Sequence, residues 1–173
     1  MSAMQYAAAI LLLIISVTVS GQKKISNVEF IDYKRQVLLA KSDAMKAQGK
    51  LNAGEIIGAG CDQGGCWIEI EYKGRKVKQN VGEYISELNV YEFDFSADAD
   101  LELVVINDLK ATAFLYVFSY SKGIIQKLFE KEIKSDKVVI KKDYLEYYQP
   151  GGKETIWHYY FGRFWLMTPY EIR

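Results

Sequence analysis

The chain has 173 residues, half of them hydrophobic, which is enough to bury the core of one domain. Its 22 Lys and Arg are balanced by 22 Asp and Glu, so the formal net charge is zero. This balance excludes the broad positive surface with which proteins attract nucleic acid or an anionic membrane.

The first predicted element is a secretory signal peptide over residues 1–21. An apolar run from Ala7 to Val19 leads into small residues and then into lysines, which is the layout of such a peptide. The run is shorter than the roughly 18 to 20 residues that cross a bilayer as a helix, so we expect no stable membrane insertion after signal removal. The mature domain, 22–173, is therefore predicted to be periplasmic or secreted. An uncleaved N-terminal anchor is the alternative.

The mature part predicts an all-β fold, because 13 Tyr, 8 Phe and 3 Trp stand beside only two Pro. Period-two alternation and turn residues delimit the predicted strands. These are a hairpin over Trp67–Val81, strands over Leu101–Asn107, Ala111–Tyr120 and Ile124–Ile133, and two further strand regions over Lys137–Tyr148 and Glu154–Thr168. Successive strands predict an antiparallel meander, sandwich-like or propeller-blade-like, in one compact domain. The alternative is α+β, since Val37–Asn52 fits neither the helical nor the strand period.

The two cysteines lie in the segment GCDQGGCW, from Gly60 to Trp67. In an exported domain, glycines between cysteines this close favour a Cys61–Cys66 disulfide. The segment also faintly resembles the nucleophile region of papain-like proteases. However, that family has a long helix where this chain continues as the strand pattern WIEIEY, and a cysteine hydrolase is the weaker interpretation.

An acidic loop precedes the strand that begins near residue 102. It places Asp94, Ser96, Asp98 and Glu102 at the first, third, fifth and ninth positions of a spacing that also includes Asp100. This stretch resembles the calcium loop of FG-GAP and VCBS repeats, and oxygen ligands at such spacing are what Ca²⁺ prefers. The resemblance implies a structural calcium site formed by these five residues.

The resemblance extends from Asp94 to Ile133 and implies one blade-like β unit packed against the rest of the chain. Ala99 stands where the family has a glycine, so a metal-free relic of the loop is an open alternative. An EF-hand is excluded, because Val105 occupies the twelfth position, where that loop needs a bidentate Glu. No internal repeat is visible in the sequence.

The C-terminal run IWHYYFGRFWLM is the densest aromatic segment. Strand alternation sends Trp157, Tyr159 and Phe161 to one side and His158 to the other. We predict a binding face from these four residues, because aromatic side chains on a sheet can stack on sugar rings or anchor a protein. The alternative is that both faces are covered.

The function predicted from these features is that of an exported, non-catalytic β domain that binds a protein or a glycan. An inhibitor of an extracellular hydrolase is an alternative within the binding class, and a periplasmic assembly or structural factor is a separate alternative. An enzyme acting on polysaccharide or peptidoglycan is the alternative from another class. Its two carboxylates would come from Asp94, Asp98, Asp100 and Glu102, or from Asp143, Glu146 and Glu154.

Overall fold

A computed structural model of the chain describes residues 28–32, 34–41, 46–96, 100–109, 112–134, 137–148 and 154–167. These residues form strands and no helix, so this part of the chain offers no helical membrane span. The predicted signal segment, 1–21, lies outside them. The strands are β1 (Val28–Phe30), β2 (Lys34–Lys41), β3 (Lys46–Lys50), β4 (Ile56–Asp62), β5 (Gly65–Tyr72), β6 (Arg75–Gly82), β7 (Glu87–Phe93), β8 (Glu102–Asp108), β9 (Ala113–Ser121), β10 (Ile124–Ile133), β11 (Val138–Lys141), β12 (Tyr144–Tyr148), β13 (Glu154–Tyr160) and β14 (Arg163–Leu166).

Three sheets each contain a meander of four consecutive strands. The first sheet has the order β3-β4-β5-β6, the central sheet β10-β9-β8-β7-β2, and the third sheet β1-β11-β12-β13-β14. Every strand pair is antiparallel except β1 with β11, which is parallel. The predicted all-β meander in one compact domain is confirmed.

The central sheet separates two hydrophobic cores. All seven residues of β8 are buried, and they alternate between the two cores. Val105 packs in the core that contains Ile68 of the first sheet, whereas Val104 packs in the core that contains Ile140 of the third sheet. A strand covered on both faces needs apolar side chains at successive positions, which explains the continuous run LVVI.

The ambiguous stretch Val37–Asn52 contributes β2 and β3 and contains no helix among its described residues. A register shift between Gln36 and Leu38, where β2 pairs with β7, interrupts the alternation. Beyond this bulge Leu38 and Ala40 are buried while Leu39 is exposed. Because of this bulge, the apolar residues of β2 do not follow one period of two along the sequence.

The last hairpin of each meander turns through two residues that both have positive φ. Such turns match the right-handed twist of the strands and favour glycine at the second position. The three pairs are Lys73-Gly74, Lys122-Gly123 and Phe161-Gly162, with φ values of 49° and 75°, 49° and 80°, and 51° and 68°. A structural repeat thus exists that the sequence did not reveal, because the meanders differ in strand length and in their other loops.

Candidate functional site

The acidic loop leaves the end of β7 through a side-chain turn. The Ser96 N–H donates to Asp94 Oδ1 at 3.1 Å, which is the hydrogen bond of an Asx turn. The hydroxyl oxygen of Ser96 is buried and has no hydrogen-bond partner. Asp98 lies outside the described residues. Asp100 is described and is exposed.

Glu102, the fifth predicted calcium ligand, is buried at the start of β8. The Tyr159 hydroxyl donates to its Oε1 at 2.8 Å, and the Phe95 N–H donates to its Oε2 at 3.2 Å. Each carboxylate oxygen thus accepts one protein hydrogen bond, and these bonds connect the central sheet to the third sheet. The role of Glu102 as a calcium ligand stays a prediction. The described residues contain no group of three or more His, Cys, Asp or Glu side chains placed to hold a metal, and calcium binding stays a prediction.

The predicted Cys61–Cys66 disulfide is present and closes the hairpin of β4 and β5. Beside it, Asp62 accepts hydrogen bonds from the Gly64 N–H at 2.8 Å and from Trp67 Nε1 at 3.0 Å. The Gly64 hydrogen bond is the main cause that lowers the pKa of Asp62. Both cysteines of the sequence are therefore oxidised, and the segment that follows is a strand, so the structure offers no thiolate nucleophile here.

The four aromatic residues predicted to form a binding face do not share one surface. Tyr159 is buried, and Trp157 packs edge-on against Phe129 of the central sheet with 5.1 Å between ring centroids. His158 lies on the opposite face of β13, and Phe161 lies in the turn between β13 and β14, where it is 85% exposed. One side of the strand is thus core, while the other side is open in part.

On that other side, three rings form a stacked row across β12 and β13. His158 lies 4.9 Å from Tyr144 and 5.7 Å from Tyr160, measured between ring centroids, with interplanar angles of 21° and 15°. Lys141 Nζ lies 5.3 Å from the Tyr144 centroid at one end, and Phe161 packs against Tyr160 at 4.3 Å at the other. The ring faces within the row are therefore covered, and the ring edges and polar tips are left to form contacts.

We use the name outer aromatic face for Tyr144, His158, Tyr160, Phe161 and Trp165. Three of the nine exposed large hydrophobic side chains among the described residues belong to this face, namely Tyr160, Phe161 and Trp165. Clustered apolar exposure of this kind marks interaction sites, whereas isolated exposed apolar residues need no explanation.

The three carboxylates of the second set considered for an enzyme lie in different environments. Glu146 is buried and pairs with Lys141 Nζ. Asp143 lies in the turn between β11 and β12 with a φ of 64°, and Glu154 begins β13 at an exposed position. The ion pair of Glu146 suits a structural role.

Sequence reasoning missed a cavity of about 310 Å³ next to the acidic loop. Its wall includes Glu55, in the loop between β3 and β4, and Tyr120, in β9 of the central sheet 65 positions later. No local motif connects these residues. Only the packing of the first sheet on the central sheet brings them together.

Comparisons of the chain with protein-family models, with curated proteins and with solved structures found no match. The resemblance to FG-GAP and VCBS repeats therefore rests on the loop residues alone and stays a prediction.

Proposed function

We propose that this chain is an exported, non-catalytic β domain that binds a protein through the outer aromatic face. The observation that carries the proposal is the clustering of three exposed aromatic side chains, Tyr160, Phe161 and Trp165, on this face. Tyr, Trp and Phe are enriched in the centres of protein interfaces, where they bury a large area with few rotatable bonds.

The arrangement of the rings favours a protein over a glycan as the partner. A sugar stacks on a free aromatic face, but Tyr144, His158 and Tyr160 cover one another's faces. The row offers ring edges, two hydroxyls and an imidazole, which suit mixed apolar and hydrogen-bonding contacts with a protein. Trp165 is 55% exposed and is the member of this face best placed to anchor a partner.

The non-catalytic part of the proposal is supported by how the reactive side chains are used. The single histidine of the chain is stacked between two tyrosines, and both cysteines form the disulfide. Glu102 and Glu146 are each held by a specific protein partner. These contacts support a structural use of the side chains.

Export is supported by the apolar run from Ala7 to Val19 together with the Cys61–Cys66 pair. Disulfides form and persist in oxidising compartments, and a signal peptide would deliver the chain there. The proposed location is the periplasm or the cell exterior.

The acidic loop is proposed to be a structural brace of the calcium type. The buried, unpartnered Ser96 hydroxyl suits a ligand that supplies positive charge. Asp94, Ser96, Asp98, Asp100 and Glu102 would hold the ion, which would add stability without any part in a reaction.

The test is comparative affinity capture from the extracytoplasmic fraction of the cells that make this protein. The variants are Trp165→Ala and, as a matched control, Ile124→Ala, since Ile124 is 72% exposed on β10 of another sheet. We expect a protein that the wild type and the control retain equally and that Trp165→Ala retains at least tenfold less. Equal retention by all three would refute the outer aromatic face as the binding surface. Glycan-array binding that only Trp165→Ala loses would replace the protein partner by a glycan.

A further inference from the structure

The cavity of about 310 Å³ shares no residue with the outer aromatic face. It lies where the turn after β3, the turn between β9 and β10, and the end of the acidic loop meet. The side chains that decide its chemistry are Glu55, Tyr72, Glu92, Asp100 and Tyr120. Its volume is at the lower end of the range of small-ligand sites, which suits one side chain rather than a folded peptide.

The charges around the cavity are unequal. Glu92 is already neutralised, because Arg35 Nε donates to its Oε2 at 2.8 Å, and its Oε1 accepts from the Asn52 N–H at 2.7 Å. Glu55 has no ion-pair partner within the described part of the chain, and Asp100 adds a second acidic group at an exposed position. Among the described residues that line the cavity, the one cation is Lys122, which is exposed in a turn. Acidic side chains therefore outnumber cationic ones in this part of the wall.

Two polar side chains meet in the cavity wall. Glu55 Oε2 and the Tyr120 hydroxyl are buried, and no hydrogen bond of normal length and angle satisfies either atom. Burial, and then the charge and hydrogen bonding of Glu55, raise the pKa of Tyr120 to about 12. A buried acceptor that is poorly satisfied is costly, so a ligand that brings N–H donors to this point would be favoured.

The remaining wall is apolar. Leu51 is buried, Leu101 is half-buried, and the Tyr72 ring forms one side, where it packs against Gly123. Arginine and lysine combine a charged, donor-rich head with an aliphatic stem that packs along apolar surface. The cavity offers acidic groups for the charged head and an apolar wall for the aliphatic stem.

We propose that this cavity binds an arginine or lysine side chain of a partner protein. The cationic head meets the Glu55 carboxylate and the Tyr120 hydroxyl, Asp100 adds negative charge, and the stem packs against Leu51 and Leu101. The site goes beyond the proposed binding through the outer aromatic face, because it uses other residues and another chemistry.

The test is an NMR titration of the protein with blocked amino acids. N-acetyl-arginine methylamide and N-acetyl-lysine methylamide are the cationic probes, and N-acetyl-citrulline methylamide is the uncharged control of nearly the same shape. We expect at least one cationic probe to shift the amide signals of residues 51–55 and 120–122 with a Kd on the order of 1 mM. The citrulline probe should bind at least tenfold more weakly. Equal binding of citrulline, or no shifts from either cation up to roughly 50 mM, a value set fiftyfold above that Kd, would overturn the proposal.

Two variants localise the effect. Glu55→Gln removes the charge with little change of shape and should weaken the cationic probe about tenfold, whereas Glu83→Gln removes an exposed charge elsewhere and should change nothing. Thermal unfolding of both variants checks that they fold. Unchanged binding by Glu55→Gln would refute the site. Free arginine distinguishes the source of the cation, because binding tenfold tighter than that of the blocked form would mean a free amino acid and not a protein side chain.

Discussion

Replacing Tyr159 by Phe tests whether Glu102 is a structural group or a metal ligand. The substitution removes one hydroxyl from a buried position and leaves the ring contacts with Phe95 and Phe164 in place. It takes away the 2.8 Å hydrogen bond to Glu102 Oε1, while the Phe95 N–H still donates to Oε2. The cost is therefore the loss of one hydrogen bond to a buried carboxylate, not the exposure of an entirely unpartnered charge.

A hydrogen bond to a charged group contributes about 1.5 to 3 kcal/mol. For a domain of this size, 1 kcal/mol shifts the melting temperature by about 2 to 4 °C, so Tyr159→Phe should lower it by roughly 3 to 12 °C. Urea denaturation should report the same loss in the free energy of unfolding, with an unchanged slope.

Tyr160→Phe is the matched control, because the neighbouring tyrosine on β13 is 55% exposed and its hydroxyl is not part of this network. It should change the free energy of unfolding by less than about 0.5 kcal/mol. Equal effects of the two variants would refute the structural role of the Tyr159 hydrogen bond. If Tyr159→Phe lowers the free energy of unfolding only when calcium is present, Glu102 is instead a ligand of the metal.

Three further outcomes are expected. Gly49→Ala should lower the free energy of unfolding, measured by chemical denaturation, by about 3 kcal/mol or more, because a Cβ there would lie 1.8 Å from the Val37 carbonyl oxygen. Gly58→Ala on the paired strand should be tolerated, because its Cβ would meet no atom closer than 3.6 Å. The free energy of unfolding should fall as the pH rises from about 10 to about 12. In the unfolded state Tyr120 loses its proton near pH 10, whereas in the folded state burial and the nearby Glu55 charge raise the pKa of Tyr120 to about 12. Tyr120→Phe should flatten this pH dependence in denaturation experiments, and an unchanged profile would contradict the reasoning. Calcium should raise the melting temperature of the wild type relative to chelator and should have no such effect on Asp98→Ala, and no shift in either protein would make the loop a metal-free relic.

The fold class could be predicted because the signals that determine it are local. Alternation in Trp67–Tyr72 and glycine turns such as Lys73-Gly74 follow from the pleat and from the backbone freedom of glycine, and the structure uses both as expected. The bulge before Leu38 concealed β2, because one extra residue reverses which side chains face the core.

The candidate sites depended on contacts that a sequence does not contain. Glu102 matched a ligand position by spacing, but its hydrogen bond with Tyr159, a residue of another sheet, could not be predicted from the sequence. Strand alternation correctly predicted that Trp157 and His158 lie on opposite faces of β13. Which of these faces is buried depends on where the central sheet packs, and this is not visible in the sequence. Glu55 carried no motif at all, since its significance arises only beside Tyr120.

The pairing of β1 has a consequence for the order in which the chain folds. Each meander joins neighbours in sequence, so its hairpins can form while the chain is short. The N-terminal strand has no such neighbour, because β1 runs parallel to β11 and the Lys142 N–H donates to Asp32 Oδ2 across 110 residues. Its docking must therefore wait for nearly the whole chain to be made, and closing so large a loop carries an entropic cost. Until that late step, β11 presents an unpaired edge to every other chain nearby, and the efficiency of folding depends on how briefly it does so.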